Sequence, residues 1–402
     1  MKKKILIISQ NFWPENFPIN DVVFELAKKN KIDVLTGKPN YPKGLIYKGY
    51  SKFFSKKEII SKNLSIIRVP IFPRYGGNKL TLVINYLSFV FSGILFGTIY
   101  LYNKKYSNIF VYCPSPISQI IVGIYFKILK NTKLYTWVQD LWPESIYATN
   151  SMNRNLLYNF LKKICNFIYK QNDKLFLQSK SFFNYFNKSF KNIEKIYLPN
   201  HGKEFIFKKK RIKKNLFDKK KLNILYTGNI GRAQNFYNLL KAAKKIEKKN
   251  KNIFFHFIGE GSYKNKAIII KNKMNIKNIK FYNYMNNKKL NFYIKESDIL
   301  LVTLKSDPIL NITVPSKFQN YLAAKKPILS FASGETAKLT KHSKSGFNCN
   351  PNQISNFVKL VLKIYNLKNS KILKIKSKKS YDYYRKNFHL KIITNKIIKS
   401  LN

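Results

Sequence analysis

Residues 313–329 read T-V-P-S-K-F-Q-N-Y-L-A-A-K-K-P-I-L. The apolar run Ile299-Leu300-Leu301-Val302 ahead of them has the character of a parallel strand buried on both faces. Pro315 and Ser316 stand where a helix starts, and Phe318, Tyr321 and Leu322 follow at helical spacing. Pro327 stops that helix, and Ile328-Leu329 opens the next strand. A strand, a helix N-terminus and a strand in succession present unpaired N–H groups and the positive end of a dipole above the sheet. Ser316 and Lys317 add a hydroxyl and a cation at that end, which makes an anion site. The same residues also describe an ordinary βαβ unit with a Ser cap and a solvated Lys.

Outward from this stretch the pattern repeats. Leu222–Thr227 (L-N-I-L-Y-T) predicts a strand, Gly228–Asn235 a glycine-bearing loop, and Phe236–Lys249 a helix. Ile253–Ile258 is a strand ended by Gly259-Glu260-Gly261. Gly334–Ala337 and Ser345–Phe347 read as turns, and the tail from about Tyr381 as a Lys-rich helix. Gly228–Gln234, Gly259–Gly261 and Pro315–Lys317 thus end successive strands. With Arg232 and Lys317 beside them they point to a bound diphosphate and its nucleoside. No Walker A spacing is present.

The first half has the same rhythm. Lys4–Ser9 predicts a strand, Gln10–Asn20 a loop, Asp21–Lys29 a helix and Ile32–Thr36 a second strand. No G-x-G-x-x-G follows the first strand, so a dinucleotide cofactor is not indicated, and Gln10–Asn20 lacks the G-x-x-G-x-x-G that a sugar-nucleotide epimerase would want. Leu134–Val138 runs into Gln139-Asp140-Leu141-Trp142-Pro143-Glu144-Ser145, two carboxylates and a Trp where parallel sheets place chemistry. A capped turn into a helix is the plainer account. The lysine-dense segment Phe205–Lys221 marks a boundary. The expected organisation is α/β with two Rossmann-like, doubly wound domains facing a cleft. Residues 1–205 would form the first and 206–380 the second, with 381–402 a helix packing back toward the first.

At 402 residues there is room for two full cores, and 45% hydrophobic with 15% aromatic residues excludes disorder. Three widely spaced cysteines give no disulfide framework, and four scattered histidines no metal centre. The opening M-K-K-K precedes too short an apolar run for a signal peptide. Against 18 acidic residues stand 76 Lys and Arg, a formal charge of +58. The excess is spread along the chain without a nucleic-acid-binding motif, so it points to an anionic membrane surface rather than to a specific nucleic acid. Leu80–Tyr102 has no charged residue and is flanked by Lys79 and Lys104-Lys105. It is long enough to span a bilayer, but Asn85, Ser88, Ser92, Thr98 and three tyrosines favour a buried or bilayer-surface helix.

V-Q-D-L-W-P-E-S (138–145), G-N-I-G-R-A-Q (228–234) and V-P-S-K-F-Q-N-Y-L-A-A-K-K-P-I-L (314–329) together resemble the family 4 glycosyltransferases of GT-B fold. The likeness is strongest to the branch holding the N-acetyl-L-fucosaminyl transferases of bacterial O-antigen and capsule synthesis. S-Q-N-F-W-P-E-N (9–16) and P-N-Y-P-K-G (39–44) agree with that branch. The resemblance implies a retaining, metal-independent hexosyltransferase with no cofactor beyond its NDP-sugar co-substrate, of the UDP-N-acetyl-deoxyhexose type. Its acceptor would be an undecaprenyl-diphosphate-linked sugar or other saccharide, met at the inner face of the plasma membrane by a cytoplasmic, peripheral protein.

By position, the resemblance makes Arg232, Lys317 and Asp140 the catalytic candidates. Arg232 and Lys317 would stabilise the departing diphosphate, and Asp140 would lie near the acceptor or the transferred sugar. Gly228, Asn229, Gly231, Gln234, Gly259, Glu260, Gly261, Pro315, Ser316 and Asn320 would hold the donor. Trp13, Glu15, Asn16, Trp142 and Glu144 would hold the acceptor. The chain departs from the family where two glutamates eight positions apart are usual: Ile312 and Asn320 stand there, and Lys325 replaces a usual Gly. A non-catalytic basic nucleotide- or polyanion-binding α/β protein is the competing account.

Overall fold

The computed structural model describes residues 3–51, 53–75, 78–150, 156–205 and 216–401. The chain divides into two compact units. One holds the residues up to Pro199, apart from 148–151, and again those from Ile393 on; the other runs from Asn200 to Ile392.

The first unit is built on an eight-stranded sheet of β1 (Lys4–Ile8), β2 (Lys31–Gly37), β3 (Lys56–Ser61), β4 (Leu64–Val69), β5 (Asn108–Cys113), β6 (Lys133–Val138), β7 (Lys174–Leu177) and β8 (Glu194–Tyr197). Their order is β3-β4-β2-β1-β5-β6-β7-β8, and only the edge strand β3 is antiparallel. Connecting helices are α1 (Pro18–Ala27), α2 (Lys79–Leu101), α3 (Gln119–Lys130), α4 (Glu144–Asn150), α5 (Leu156–Lys170) and α6 (Phe182–Ser189). Strands β1, β4, β5 and β6 are buried almost throughout, which is why apolar residues dominate them, although β4 and β6 also bury Arg68 and Thr136. Strand order reverses between β1 and β5, and the crevice of such a sheet opens beyond the carboxyl ends there.

The second unit carries a parallel sheet of β9 (Leu222–Thr227), β10 (Ile253–Ile258), β11 (Ile279–Tyr282), β12 (Ile299–Thr303), β13 (Ile328–Phe331) and β14 (Gly346–Cys349), ordered β11-β10-β9-β12-β13-β14. Its helices are α7 (Phe236–Lys249), α8 (Lys264–Lys273), α9 (Asn287–Glu296), α10 (Pro308–Ile312), α11 (Ser316–Ala323), α12 (Gly334–His342), α13 (Ile354–Asn366), α14 (Lys371–Asn387) and α15 (Leu390–Ser400), the last crossing into the first unit at Ile393. One core lies under α7 and α13 with Leu239, Ile246, Phe257, Phe331 and Phe357. The other lies under α11 and α14 with Phe318, Tyr321, Leu322 and Tyr384. Each such side chain contributes roughly 1.5–3 kcal/mol by leaving water. The reversal here is between β9 and β12, directly below α11.

Several expectations change. Residues 206–215 of the expected boundary lie outside the described residues, and the division falls earlier, at Pro199. Gly202 explains this: its N–H donates to Phe388 O at 3.0 Å, and a Cβ there would lie 2.5 Å from Gln319 O, so the segment already belongs to the second unit. Gly334–Ala337 is the first turn of α12, not a loop. Ser345–Phe347 leads directly into β14, where Gly346 sits so close to its neighbour that a Cβ would overlap Ile328 O. The tail is two helices broken at Phe388 and His389. In the first unit, Lys3 Nζ and Lys174 Nζ donate to Leu401 O and Ser400 O, each at 2.9 Å.

Candidate functional site

In the second unit, the loops after β9 and β10 are built against each other. Gly228 N–H donates to Ile258 O (2.9 Å), Ile230 N–H to Glu260 O (2.8 Å) and Tyr263 N–H to Ile230 O (2.9 Å). Gly259 and Gly261 hold φ of +148° and +153°, and a Cβ on them would lie 2.0 Å from Gly228 O and 2.4 Å from Ile230 O. Glycine is required by both torsion and space. Gly231 N–H is held by Gln234 Oε1 at 2.9 Å, closing the short turn Arg232–Gln234. Arg232 is exposed on this turn, with no hydrogen bond or ion pair recorded among the described residues.

Helix α11 arrives beside these loops because Phe318, Tyr321 and Leu322 are buried beneath it. Tyr321 Oη accepts from Thr227 N at 2.8 Å, pinning the helix to the end of β9. Phe318 N–H closes on Pro315 O at 2.8 Å, while the amides of Ser316 and Lys317 precede the helical ladder. Ser316 is exposed at that end. Lys317 turns inward: its ammonium lies 3.7 Å from the centroid of Tyr226 and donates to the Tyr226 hydroxyl. That hydroxyl in turn donates to Asn229 O. A Cβ on Gly228 would be 3.6 Å from Lys317 Nζ, so the ammonium stands over the glycine. The residue keeps some surface, but its ammonium is enclosed, and loss of hydration drops its pKa from 10.5 to about 7.

The structure therefore gathers Gly228, Asn229, Gly231, Arg232, Gln234, Gly259, Glu260, Gly261, Pro315, Ser316 and Lys317 around the carboxyl ends of β9, β10 and β12. The arrangement offers backbone amides, a helix N-terminus and two cations to an anion. Glu260 is bound to Lys264 (2.8 Å) and Tyr284 N–H (3.2 Å), and the Lys264 contact holds its carboxyl below the usual range. Asn320 lies a turn further on, and its Oδ1 accepts from Lys203 N–H at 2.8 Å. Tyr226, Thr227 and Tyr321 were not marked by the sequence, because tyrosines in a strand or on an apolar helix face read as core.

In the first unit Glu15 is buried, and its carboxylate accepts from the amides of Asn40 (2.8 Å), Tyr41 (2.6 Å) and Phe12 (3.2 Å) and from Asn11 Nδ2. Burial raises its pKa, and those bonds oppose the rise. It organises the loops after β1 and β2, while Trp13 and Asn16 beside it are exposed. Arg74, unmarked by the sequence, connects this loop to the one after β6. Its guanidinium lies over Tyr41 (5.7 Å) and Tyr86 (5.4 Å), Tyr41 contacts Phe17 at 5.3 Å, and Tyr86 meets Trp142 edge-on at 6.4 Å. Glu144 Oε1 accepts from Tyr158 (3.1 Å) and Tyr185 (2.9 Å), whereas Glu144 Oε2 and Trp142 Nε1 are buried with no hydrogen-bond partner among the described residues. Such atoms cost free energy unless something meets them. Asp140 has no hydrogen bond recorded among the described residues; enclosure of its carboxyl pushes its pKa up to about 7.

Residues 207–387 match the family model of glycosyl transferases group 1. No curated protein matches the sequence. Among solved structures, the chain is similar to sucrose-phosphate synthase from Thermosynechococcus elongatus (TM-score 0.75, 13% identity, 99% of this chain and 98% of that one). It is also similar to Anabaena HepE in complex with UDP and glucose (0.68, 10%, 99% of each). A third is WaaG, a glycosyltransferase involved in lipopolysaccharide biosynthesis (0.66, 12%, 99% of each). The likeness over the full length is one of fold, and the architecture is GT-B: two Rossmann-like α/β domains.

Proposed function

We propose that this chain is a retaining glycosyltransferase that moves a sugar from an NDP-sugar to a lipid-linked or saccharide acceptor in bacterial surface polysaccharide synthesis. The donor is of the UDP-N-acetyl-deoxyhexose type by the sequence resemblance; the similarity to HepE in complex with UDP and glucose supports a UDP-sugar, and that to WaaG a role in surface polysaccharide synthesis. One observation carries it: two glycine-bearing strand ends, the N-terminus of α11 and Lys317 converge over Gly228, with Arg232 on the same loop. In transfer the bond from the anomeric carbon to the diphosphate oxygen breaks, and its electron pair leaves with the diphosphate. The acceptor oxygen bonds the anomeric carbon on the face that the diphosphate leaves and passes its proton to the departing diphosphate oxygen. Arg232, Lys317 and the amides of Ser316 and Lys317 meet the charge that develops on the leaving group, so this mechanism asks for no metal. Asp140, Trp142 and Glu144, with Trp13, Glu15 and Asn16 on the neighbouring loop, serve the acceptor; Glu15 does so by shaping the loop. The protein works in the cytoplasm, peripherally on the inner face of the plasma membrane, where a lipid-linked acceptor is presented.

The test is a thermal-shift screen against UDP-, GDP- and dTDP-sugars, since a ligand at a hundred times Kd stabilises by about 2.7 kcal/mol. Transfer from the binding donor to a polyprenyl-diphosphate-linked sugar follows. Arg232→Ala and Lys317→Ala should abolish transfer with the fold retained. Binding of polyanions with no transfer from any NDP-sugar, unchanged by either substitution, would establish a non-catalytic basic binding protein instead.

A further inference from the structure

One side of the first unit's sheet is unusual for a surface. The connections β4–α2–β5, β5–α3–β6 and β6–α5–β7 all run in the same direction across the sheet, and right-handed crossovers place their helices on one side. Contacts agree with this. Gly93 and Gly97 of α2 seat against Val122 and Phe126 of α3, and Lys127 at the end of α3 donates to Gln171 O (2.8 Å) just beyond α5. The outward stripe of α2 is apolar along its whole length: Leu80, Ile84, Leu87, Phe91, Leu95 and Ile99 are all exposed, at intervals of three and four. Helix α5 repeats the pattern with Leu156, Phe160, Ile164 and Phe167. Soluble surfaces scatter such residues singly and do not align them over about five turns.

The helices cannot leave the sheet to form a span without breaking a polar anchor. Asn85 of α2 is fully buried; its Nδ2 donates to Phe72 O (2.5 Å), and its Oδ1 accepts from Gln10 Nε2 (2.7 Å) and Arg74 Nε (3.1 Å). Ser88 Oγ accepts from Phe72 N–H at 2.9 Å. Phe89 and Leu101 are buried on the inward face. The charge of the three helices is one-sided: none contains Asp or Glu, and Lys105, Lys163 and Lys170 are exposed on or beside them.

We infer that this face of the first unit is a bilayer-docking surface. Helices α2 and α5 lie in the plane of an anionic membrane with their apolar stripes in the headgroup–acyl boundary, and the surrounding lysines meet the headgroups. The occupant is lipid because the stripes are bordered by lysines and the three helices carry no acid, the neighbouring Asp173 being paired with Lys127 at 2.9 Å. A second copy of a chain of charge +58 would bring like charges to the same border. The inference adds the docking face to the membrane location proposed above and does not depend on the donor.

The experiment is flotation of the full chain with phosphatidylcholine vesicles, with and without about one third phosphatidylglycerol. The chain should bind the anionic vesicles, and high salt should weaken binding. Phe91→Glu with Leu95→Glu should lower the partition at least tenfold. Ile269→Glu, on an exposed site of α8 in the other unit, should leave it unchanged. Nucleotide-sugar binding by thermal shift should be the same in all variants, which separates loss of this surface from failure of the donor assignment. Equal partition of the Phe91/Leu95 double variant and the parent overturns the inference. So does light scattering that shows a lipid-free dimer split by the double variant.

Discussion

The sharpest prediction concerns Lys317. Its ammonium is stacked on Tyr226 and its pKa falls to about 7, so near neutral pH about half of the empty molecules carry a neutral amine. A diphosphate placed over Gly228 would bring negative charge beside it and restore the ordinary pKa near 10.5. The sign follows: the complex holds a proton that the empty protein has partly lost, so binding takes up about half a proton at pH 7 and nearly a whole one at pH 8.5. Affinity is flat below about pH 6 and falls about tenfold per pH unit above 7, each decade being 1.36 kcal/mol. Between pH 7 and 9 this amounts to roughly fiftyfold, because half of the empty molecules are already neutral at pH 7. An NDP-sugar is the right probe, because its diphosphate is a diester with no ionisation in this range. Isothermal titration calorimetry in buffers of different ionisation enthalpy counts the protons directly. Lys317→Met should bind weakly, with neither the slope nor the proton uptake. A parent affinity that stays level from pH 6 to 9, or a slope that survives in Lys317→Met, would refute the linkage.

Gly259→Ala should cost more than about 2 kcal/mol in urea unfolding, because its Cβ would sit 2.0 Å from Gly228 O at a φ of +148°. Gly49→Ala, at φ +90° with nothing within 4 Å, should cost only about 1 kcal/mol. For Asp140 the folded carboxyl keeps its proton to about pH 7 against 3.8 when unfolded, so native stability is lost as pH rises through that window. Asp140→Asn should therefore raise Tm at pH 8, leave it unchanged near pH 3, and lower transfer. Arg74→Ala, which removes the cation between Tyr41 and Tyr86, should raise KM for the acceptor several-fold and leave donor affinity intact. A charge of +58 repels itself, so Tm should rise between about 20 and 300 mM salt while vesicle binding falls; calorimetry and flotation read the two trends.

The fold was legible where burial was two-sided. Strands β1, β9 and β12 are enclosed on both faces from Ile5, Leu222 and Ile299 on, so apolar residues dominate them and the run is visible without a partner. Strand β3 was missed for the opposite reason. Lys56–Ser61 is an exposed antiparallel edge, and K-K-E-I-I-S carries no face-specific pattern. Helix α10 did leave a signal: Asp307 accepts from the amides of Ile309 (2.8 Å) and Leu310 (3.2 Å) ahead of Pro308, an N-cap with proline at the first helical position. Its five residues were too short for a period to show. Gly334 suggested a turn because glycine usually punctuates; here it opens α12 in a space that any Cβ would close.

At the candidate site, the residue types were legible and their states were not. That Arg232 and Lys317 stand beside glycine loops follows from order along the chain. That they differ physically does not. Arg232 lies in water among 76 basic residues, where screening limits what one more cation is worth. Lys317 is drawn against Tyr226, 91 positions away in sequence, by a pairing that only the pleat of β9 and the packing of Tyr321 determine. In a chain this basic, positive charge alone cannot select a ligand, since nearly every surface offers it. Selection falls to the cation that has lost its water. Its full charge at neutral pH is recovered when a matching anion arrives, so the discrimination resides in the desolvation of Lys317 rather than in the number of lysines.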